Sequence, residues 1–303
     1  MLLGIVGVVA VGLSSAFFSD TETSQGNTFV AGQIDLGIDN HSFYNGVLNP
    51  GTTWRVDYDL SDNPPRQFFN FGDVKPGDWG EDTISLHVKD NEAWLCADVT
   101  LTSNDENGLT EPEAEDGDDT SAGTGAGELA QNINFFWWAD DGDNVFETDE
   151  ETLPGTGGTL GALAINATTS VALADASINI WDGSGPFTAT SSTRYIAKAW
   201  CFGDISENAL PQNAYNGPAN NNNNDNVIDE RDGGFICSGA PSANNVTQTD
   251  SMTANISFYA VQSRNNASFL CSNPRGSSSS SSSSESSSSS SSSSSEQSSS
   301  SSS

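Results

Sequence analysis

Apolar and polar residues alternate in several segments along the middle of the chain. For example, Ile34, Leu36 and Ile38 are separated by polar or small residues. A period of two places successive side chains on opposite faces of a β-strand, so each such segment predicts a strand with one buried face. The segment 135–138 is apolar at every position, which predicts a strand buried on both faces. The predicted strands are 34–38, 54–60, 84–88, 95–101, 135–138, 195–202 and 256–261.

Residues that favour tight turns separate these strands, and no helix-period run of useful length occurs. The turn signals are Asn45-Gly46, Lys75-Pro76-Gly77-Asp78, Asn107-Gly108 and Asn216-Gly217. Many short strands without intervening helices are typical of two packed sheets. We therefore predict an all-β protein, a jelly-roll-like antiparallel β-sandwich with long acidic and Asn-rich loops.

The N-terminal segment has the pattern of an export signal. Met1 to Leu13 is almost wholly apolar, which is shorter than the ~20 residues of a membrane-spanning helix and suits the apolar region of a signal peptide. The small residues Ser14, Ser15 and Ala16 follow, and they predict cleavage after Ala16. No Lys or Arg precedes the apolar run, so a start further upstream and an uncleaved anchor remain as alternatives.

Composition divides the rest of the chain. We expect an extended N-terminal arm over 17–31, the β-sandwich domain over 32–272 and a disordered Ser-rich tail over 273–303. Within the domain, 103–128 is predicted to be a mobile acidic loop, and 211–234 is a polar, Asn-rich insertion.

The net charge is −32, from 41 acidic and 9 basic residues. Nucleic-acid binding is excluded on this basis, because phosphates require neutralising cations. An anionic membrane surface would also repel the chain. The acidic surface favours solubility, and it is equally suited to collecting divalent cations or tolerating high salt.

The four cysteines are Cys96, Cys201, Cys237 and Cys271, and none forms a Cys-x-x-Cys pair. An even number at such spacings indicates two disulfides in an oxidising compartment rather than a zinc ribbon. Three pairings are open. We prefer Cys237 with Cys271 and Cys96 with Cys201, because this arrangement would staple the C-terminal region separately from the middle of the chain.

The segment 140–151 concentrates carboxylates in one loop. Hard cations such as Ca²⁺ take several oxygen ligands from a short loop that contains a Gly for its tight turn. The spacing is not that of an EF-hand, and a solvated acidic hairpin is the alternative. A weaker copy of the pattern at 225–230 is either a second cation loop or a reused turn. The predicted calcium ligands are the side chains of Asp141, Asp143, Glu147 and Glu150 or Glu151, with the carbonyl of Val145.

Candidate catalytic residues are few. The two histidines are His41 and His87, and the absence of a His-Glu-x-x-His sequence excludes a standard zinc-protease helix. No Gly-x-Ser-x-Gly elbow is present either. His87 lies on the polar side of its predicted strand and is expected at the surface. We predict that the protein is not an enzyme.

The most specific similarity to a known family lies at the N-terminus. The segment 16–24 reads AFFSDTETS, and it is followed by GNTF at 26–29 and AGQIDL at 31–36. These residues resemble the TasA/camelysin family, whose members carry a signal handled by a SipW-type peptidase. The turn at 73–78, followed by the strand at 84–88, is also similar to that family.

The resemblance implies a secreted jelly-roll subunit that polymerises into extracellular fibres, as in biofilm matrix fibres and archaeal bundling pili. It also implies donor-strand complementation, in which the mature arm of one copy fills a groove in the next. An open sheet edge is a template for such an added strand, and head-to-tail addition gives a filament. Phe17 and Phe18 would then anchor the arm, with Phe29 and Val30 near its hinge, and cell-surface or matrix components would be further partners.

Two alternative functions remain. Some family members are labelled metalloproteases, but this chain lacks a His-rich zinc motif. The other alternative is a calcium-stabilised surface adhesin, which the acidic loop at 140–151 favours.

Overall fold

The structure is a computed structural model, and it describes residues 34–56, 66–116, 123–188, 193–211, 233–239 and 245–272. By its contacts the chain divides into residues 1–33 and residues 34–303, and every described residue belongs to the second part. Within the described ranges, no helix is long and apolar enough to cross a membrane.

Most of the described chain is β-strand. The strands are β1 Asp35–Tyr44, β2 Val47–Leu48, β3 Trp79–Lys89, β4 Ala93–Glu106, β5 Gly123–Thr124, β6 Ile133–Asp140, β7 Gly158–Thr159, β8 Thr168–Ala174, β9 Arg194–Phe202, β10 Asp204–Glu207, β11 Phe235–Ser238 and β12 Ser251–Gln262. Two short helices, α1 Glu111–Asp116 and α2 Leu129–Asn132, and the 3-10 turns Leu160–Ala162 and Asn245–Thr247 complete the elements.

These strands form two main antiparallel sheets. The first sheet has the order β2-β1-β3-β9-β6-β7. In the second sheet β4 lies at the centre, with β12 on one side and both β5 and β8 on the other. A separate two-stranded ribbon joins β10 to β11. The predicted all-β class and antiparallel sandwich arrangement are confirmed.

One buried cluster lies between the two sheets. Ile84 and Ile196 contribute from the first sheet, and Leu95, Ala97 and Leu173 contribute from the second. The alternation that predicted the strands brings these residues to one face, because successive strand residues point to opposite sides. We call the second sheet the inner cover, because it covers the core-facing side of the first sheet.

The opposite face of the first sheet is also buried. Phe136 and Trp138 of β6 point to this side, where they meet Phe146 and Phe235. We call the segments that cover this face, 141–153, 204–211 and 233–239, the outer cover. The prediction that 135–138 is buried on both faces is confirmed, since all four side chains are buried.

The preferred disulfide pairing is wrong. The bonds join Cys96 to Cys271 and Cys201 to Cys237. Cys96 alternates with the inward residues of β4 and so faces away from the core, while Cys201 faces the outer cover on β9. The two therefore lie on opposite outer surfaces of a sandwich whose sheets are ~10 Å apart, beyond the ~7 Å limit on the Cα separation of a disulfide.

The segment 103–128 was predicted to be a mobile loop, but its described parts, 103–116 and 123–128, contain regular elements, while 117–122 lie outside the described residues. β4 continues to Glu106, and α1 follows. The N-terminus of α1 is a capping box, in which the Glu113 carboxylate accepts from the Thr110 amide and the Thr110 hydroxyl accepts from the Glu113 amide. The Thr110-x-x-Glu113 spacing is a sequence signal for this helix that period analysis alone did not detect.

Other local predictions have mixed outcomes. The predicted strand at 54–60 is reduced, in its described part, to a single bridge between Trp54 and Asn40. The turn at Asn45-Gly46 is confirmed, with left-handed φ angles of 49° and 73° that suit a tight hairpin. The turn at 75–78 is confirmed by a 2.8 Å bond from the Asp78 amide to the Lys75 carbonyl.

Candidate functional site

The acidic loop begins where β6 ends. Asp140 is the last residue of the strand, and it continues the face of Phe136 and Trp138. Gly142 then turns the chain with a φ of 117°, and a Cβ there would lie 2.8 Å from Cε2 of Tyr195. Glycine is required at this position for both reasons.

Carboxylate side chains fold the loop back on itself. Oδ2 of Asp140 accepts from the amides of Gly142 at 3.1 Å and Asn144 at 3.3 Å. Glu150 returns to the start of the loop, where its carboxylate accepts from the amides of Asp141 and Glu147, both at 3.0 Å. These bonds bring Glu150 beside residues that precede it by nine or ten positions.

Three carboxylates meet as a result. Asp140, Asp141 and Glu150 each place one oxygen so that all three lie within 4.8 Å of one another. Burial, followed by repulsion from Asp143, holds the pKa of Asp140 well above its ordinary value. Burial, followed by repulsion from Asp140, raises the pKa of Glu150 to about 10. Both shifts mean that burial and mutual repulsion disfavour the ionised carboxylates.

The predicted ligands are only partly brought together. Asp141 and Glu150 belong to the group. Its third member is Asp140, which was not among the predicted ligands. Asp143 lies close enough to raise the pKa of Asp140, but its Oδ1 accepts from the Val145 amide at 3.0 Å. Glu147 is buried, and its negative charge contributes to the raised pKa of Glu150. Asp140 could have been recognised from the period-two pattern, because it occupies the same strand face as Trp138.

A second group of carboxylates was not predicted. Glu106, Glu128 and Asp250 also place one oxygen each within 4.8 Å of one another. Asp250 caps α2, since its Oδ2 accepts from the amides of Glu128 at 2.6 Å and Leu129 at 3.0 Å. Burial raises the pKa of Asp250 to about 6, helped by Glu106 and opposed by the bond from the Glu128 amide. No local motif links residues that stand so far apart in sequence.

A groove lined by both polar and apolar residues lies beside this second group. It has a volume of about 900 Å³, and Phe135, Trp200, Phe202 and Met252 contribute apolar surface while Asp250 lies at its wall. The aromatic rings come from β6 and β9, and they belong to a buried cluster with Leu129 and Ile133. The groove lies next to the start of β12.

The strand β12 forms one edge of the second sheet. Among the described residues it pairs only with β4, over the whole of its length. Its core-side residues Ile256, Phe258 and Ala260 remain partly exposed, whereas Ala97 and Leu95, which oppose Phe258 and Ala260, are fully buried. Within the described ranges, this edge thus has one neighbouring strand and lies next to incompletely covered apolar side chains.

A buried ion pair lies between the sheets. Lys198 of β9 and Asp82 of β3 oppose each other in the first sheet, and their charged groups are in contact with almost no exposure. Asp82 also accepts from the side chain of Asn40 at 3.4 Å. Lys198 lines a smaller cleft of about 140 Å³ between the sheets and lies 5.8 Å from the Phe69 ring centroid.

The histidines are separate from both carboxylate groups. His41 is exposed, and His87 is only partly exposed because Nε2 lies 3.0 Å from Oδ2 of Asp39 and Nδ1 lies 3.2 Å from Oγ1 of Thr193. Within the described ranges, the groups able to hold a metal consist of carboxylates alone.

Comparison with models of known protein families and with curated protein sequences found no match for this chain. The relation to the TasA/camelysin family therefore stays a prediction from the sequence. The coupling residues Phe17, Phe18, Phe29 and Val30 lie outside the described residues, as does the second acidic copy at 225–230.

Proposed function

We propose that this protein is a secreted structural subunit that polymerises into extracellular fibres by donor-strand complementation. The arm 17–31 of one copy would add as a strand to β12 of the next. The observation that carries the proposal is the edge position of β12, which pairs only with β4 among the described residues. Edge strands of this kind accept an extended segment through main-chain hydrogen bonds.

The dimensions of the two partners agree. β12 has 12 residues, which at ~3.3 Å per residue span roughly 40 Å. The arm 17–31, when extended, spans roughly 50 Å on the same scale, so it can follow the whole edge. An added strand would also give the second sheet a fourth long strand opposite β1, β3, β9 and β6.

Apolar side chains would provide the specificity. The partly exposed Ile256 and Phe258 would be covered by alternate residues of an incoming strand. The groove beside Met252 and Trp200 is large enough for aromatic anchors, and Phe17 and Phe18 are the candidates. Burying a Phe side chain contributes roughly 1.5–3 kcal/mol, so two anchors would supply much of the binding free energy.

The disulfides support export, and the net charge predicts how assembly should respond to salt. Disulfides persist mainly in oxidising compartments, and both cysteine pairs are bonded. The net charge of −32 opposes association between copies, so assembly should strengthen as salt screens the repulsion.

Negative-stain electron microscopy tests the proposal on the mature protein that begins at Phe17. Filaments are expected from this form and absent from a form that lacks 17–27, because the latter has no strand to donate. A synthetic peptide of residues 17–31 should stop growth of the intact protein by occupying β12, whereas a scrambled peptide should not. Filaments that persist without the arm would contradict the proposal.

For the protease alternative, we predict that the protein has no proteolytic activity. His87 is engaged with Asp39 and Thr193 rather than placed beside either carboxylate group. A casein assay with and without chelator is expected to show no difference between the two conditions. Chelator-sensitive cleavage by the purified protein would overturn this prediction.

A further inference from the structure

The acidic loop after β6 contains more than a cluster of carboxylates. Asp140 is 3% exposed and Asn144 is 0% exposed. Oδ1 of Asp140 has no hydrogen-bond partner, and neither the oxygen nor the nitrogen of the Asn144 side chain has one. A buried polar atom without a partner costs about 1–3 kcal/mol, so native proteins rarely leave several in one turn.

These atoms lie at the same turn as the three convergent carboxylates. Oδ2 of Asp140 already binds the amides of Gly142 and Asn144, which fixes the carboxylate and leaves Oδ1 for another partner. That carboxylate is also a member of the group with Asp141 and Glu150. The loop thus presents convergent oxygen ligands that range from the buried, partly unpartnered carboxylate of Asp140 through the half-buried Glu150 to the exposed Asp141.

We infer that this loop binds one calcium ion through the carboxylates of Asp140, Asp141 and Glu150, with the side-chain oxygen of Asn144 as a further ligand. The inference does not depend on the proposed fibre function, because the site is complete within one copy of the chain.

The chemistry of the ligands favours calcium over other common metals. All the ligands are oxygens, whereas zinc sites in proteins are usually built from Cys and His. Calcium accepts six to eight oxygens in irregular arrangements, while magnesium requires a near-ideal octahedron and keeps several waters. A loop that supplies ligands from adjacent residues and from a residue nine positions later is suited to the larger ion.

The charges of the neighbouring carboxylates also favour binding of a cation. The repulsion that raises the pKa of Asp140 comes from Asp143 and Asp141, and that on Glu150 comes from Asp140, Glu147 and Asp141. A divalent cation would convert this mutual repulsion into shared attraction.

Binding would also organise the outer cover. Phe146, six residues after Asp140, packs against Phe136 at 5.5 Å and Trp138 at 5.6 Å between ring centroids. The backbone of Phe146 is bonded to Gly233 and Leu210, which belong to the other two segments of the cover. An ion that joins Glu150 to the end of β6 would close the loop that carries this phenylalanine.

Calorimetric titration and thermal melting of the chelator-treated protein test the inference. Calcium should bind with a stoichiometry near one per chain at this loop and raise Tm, and magnesium at equal concentration and ionic strength should do neither. Terbium, which occupies oxygen-rich calcium sites, should luminesce on Trp excitation because Trp138 lies two residues from Asp140 on the same face.

Two variants test whether the calcium ion binds at this loop. The double variant Asp140→Asn/Glu150→Gln should lose calcium binding and terbium luminescence while it remains folded without metal, because it removes the repulsion. Asp149→Asn is the matched control, since Asp149 is an exposed acid of the same loop outside the group, and it should bind as the wild type does.

Two outcomes would overturn the inference. One is the absence of both heat and a Tm shift when calcium is added to the wild type. The other is a calcium response that survives in Asp140→Asn/Glu150→Gln but is lost in Asp250→Asn, which would place the ion at the group of Glu106, Glu128 and Asp250.

Discussion

The two faces of the first sheet are covered by different means. The inner cover is a hydrogen-bonded sheet in which β12 pairs with β4 from Ser251 to Gln262, and its apolar residues form one continuous cluster with the first sheet. The outer cover consists of loops and the short ribbon of β10 and β11. It is attached by the Cys201–Cys237 bond, by a few backbone bonds around Phe146 and by the aromatic contacts of Phe146 and Phe235.

This difference predicts different responses to damage. Sheet-on-sheet packing distributes its stabilisation over a large apolar area, so the inner cover should be lost only when the whole domain unfolds. The outer cover is attached at separate points, and loss of one point should open that region locally. Extended ladders and discrete attachments can thus stabilise opposite faces of one sheet with different cooperativity.

The largest expected effect is on the inner side, at the buried ion pair. Lys198→Ala leaves the Asp82 carboxylate buried without its partner, and loss of one member of such a pair costs roughly 3–5 kcal/mol. Chemical denaturation followed by tryptophan fluorescence and by far-UV circular dichroism should show one coincident, shifted transition. Separate transitions would show that the inner cover is not cooperative.

The double variant Lys198→Met/Asp82→Leu is the control for this prediction. It replaces both charges with apolar groups, which is often neutral or stabilising for a buried pair. Its midpoint should lie close to that of the wild type. A loss as large as that of Lys198→Ala would mean that packing volume, not the unpaired charge, causes the effect.

The next largest effect is expected on the outer side. Cys201→Ser/Cys237→Ser removes the bond that attaches β11 to β9, and a disulfide of this kind contributes roughly 2–4 kcal/mol. Hydrogen exchange should accelerate first at the amides of Phe146 and Leu210, which bond within the outer cover, while the amides of β4 stay protected. Equal acceleration on both faces would break the distinction between the two covers.

The smallest effect is a pH dependence at the second carboxylate group. Asp250 has an ordinary pKa of 3.8 that is raised to about 6 in the folded protein. The folded state therefore holds the proton more tightly than the unfolded state, so the free energy of unfolding should fall as pH rises from about 4 to about 6 and then level off. Glu106 and Glu128 face this carboxyl group, and the amides of Glu128 and Leu129 donate to it.

Asp250→Asn isolates this contribution. The amide retains an oxygen that can cap α2 but has no proton to lose in this range, so the difference between wild type and variant should follow the titration of Asp250. Urea denaturation at pH 4, 5, 6 and 7 in the presence of chelator measures it. A wild-type-minus-variant difference that is constant over these pH values would contradict the prediction.

Period-two alternation was sufficient to predict the class of the fold and most long strands. It also predicted that 135–138 is buried on both faces, although not which residues would cover the second face. The covering residue Phe146 stands in an irregular segment and Phe235 begins the short strand β11, and neither belongs to a run long enough for alternation to provide a signal. The Thr110-x-x-Glu113 capping box was readable in the sequence, and because it was overlooked, α1 was not predicted.

The sequence predicted which loop carries the candidate calcium site, but only some of the residues that form it. Local sequence identified the loop because carboxylates and Gly142 are close together along the chain. Asp140 was part of the predicted loop 140–151 but was not among the predicted ligands, and the structure shows that it ends β6 and is buried there. The group of Glu106, Glu128 and Asp250 had no local signature, since three separate elements bring it together.

The sequence by itself determined the strand periodicity, the turns at Asn45-Gly46 and 75–78, the number of half-cystines and the position of the acidic loop, because each depends on residues that are neighbours along the chain. Only the tertiary structure decided the disulfide partners, the identity of the outer cover, the burial of Lys198 with Asp82 and the edge position of β12. These depend on which strands lie side by side and which face each residue occupies, and that follows from packing of the whole chain rather than from any one segment.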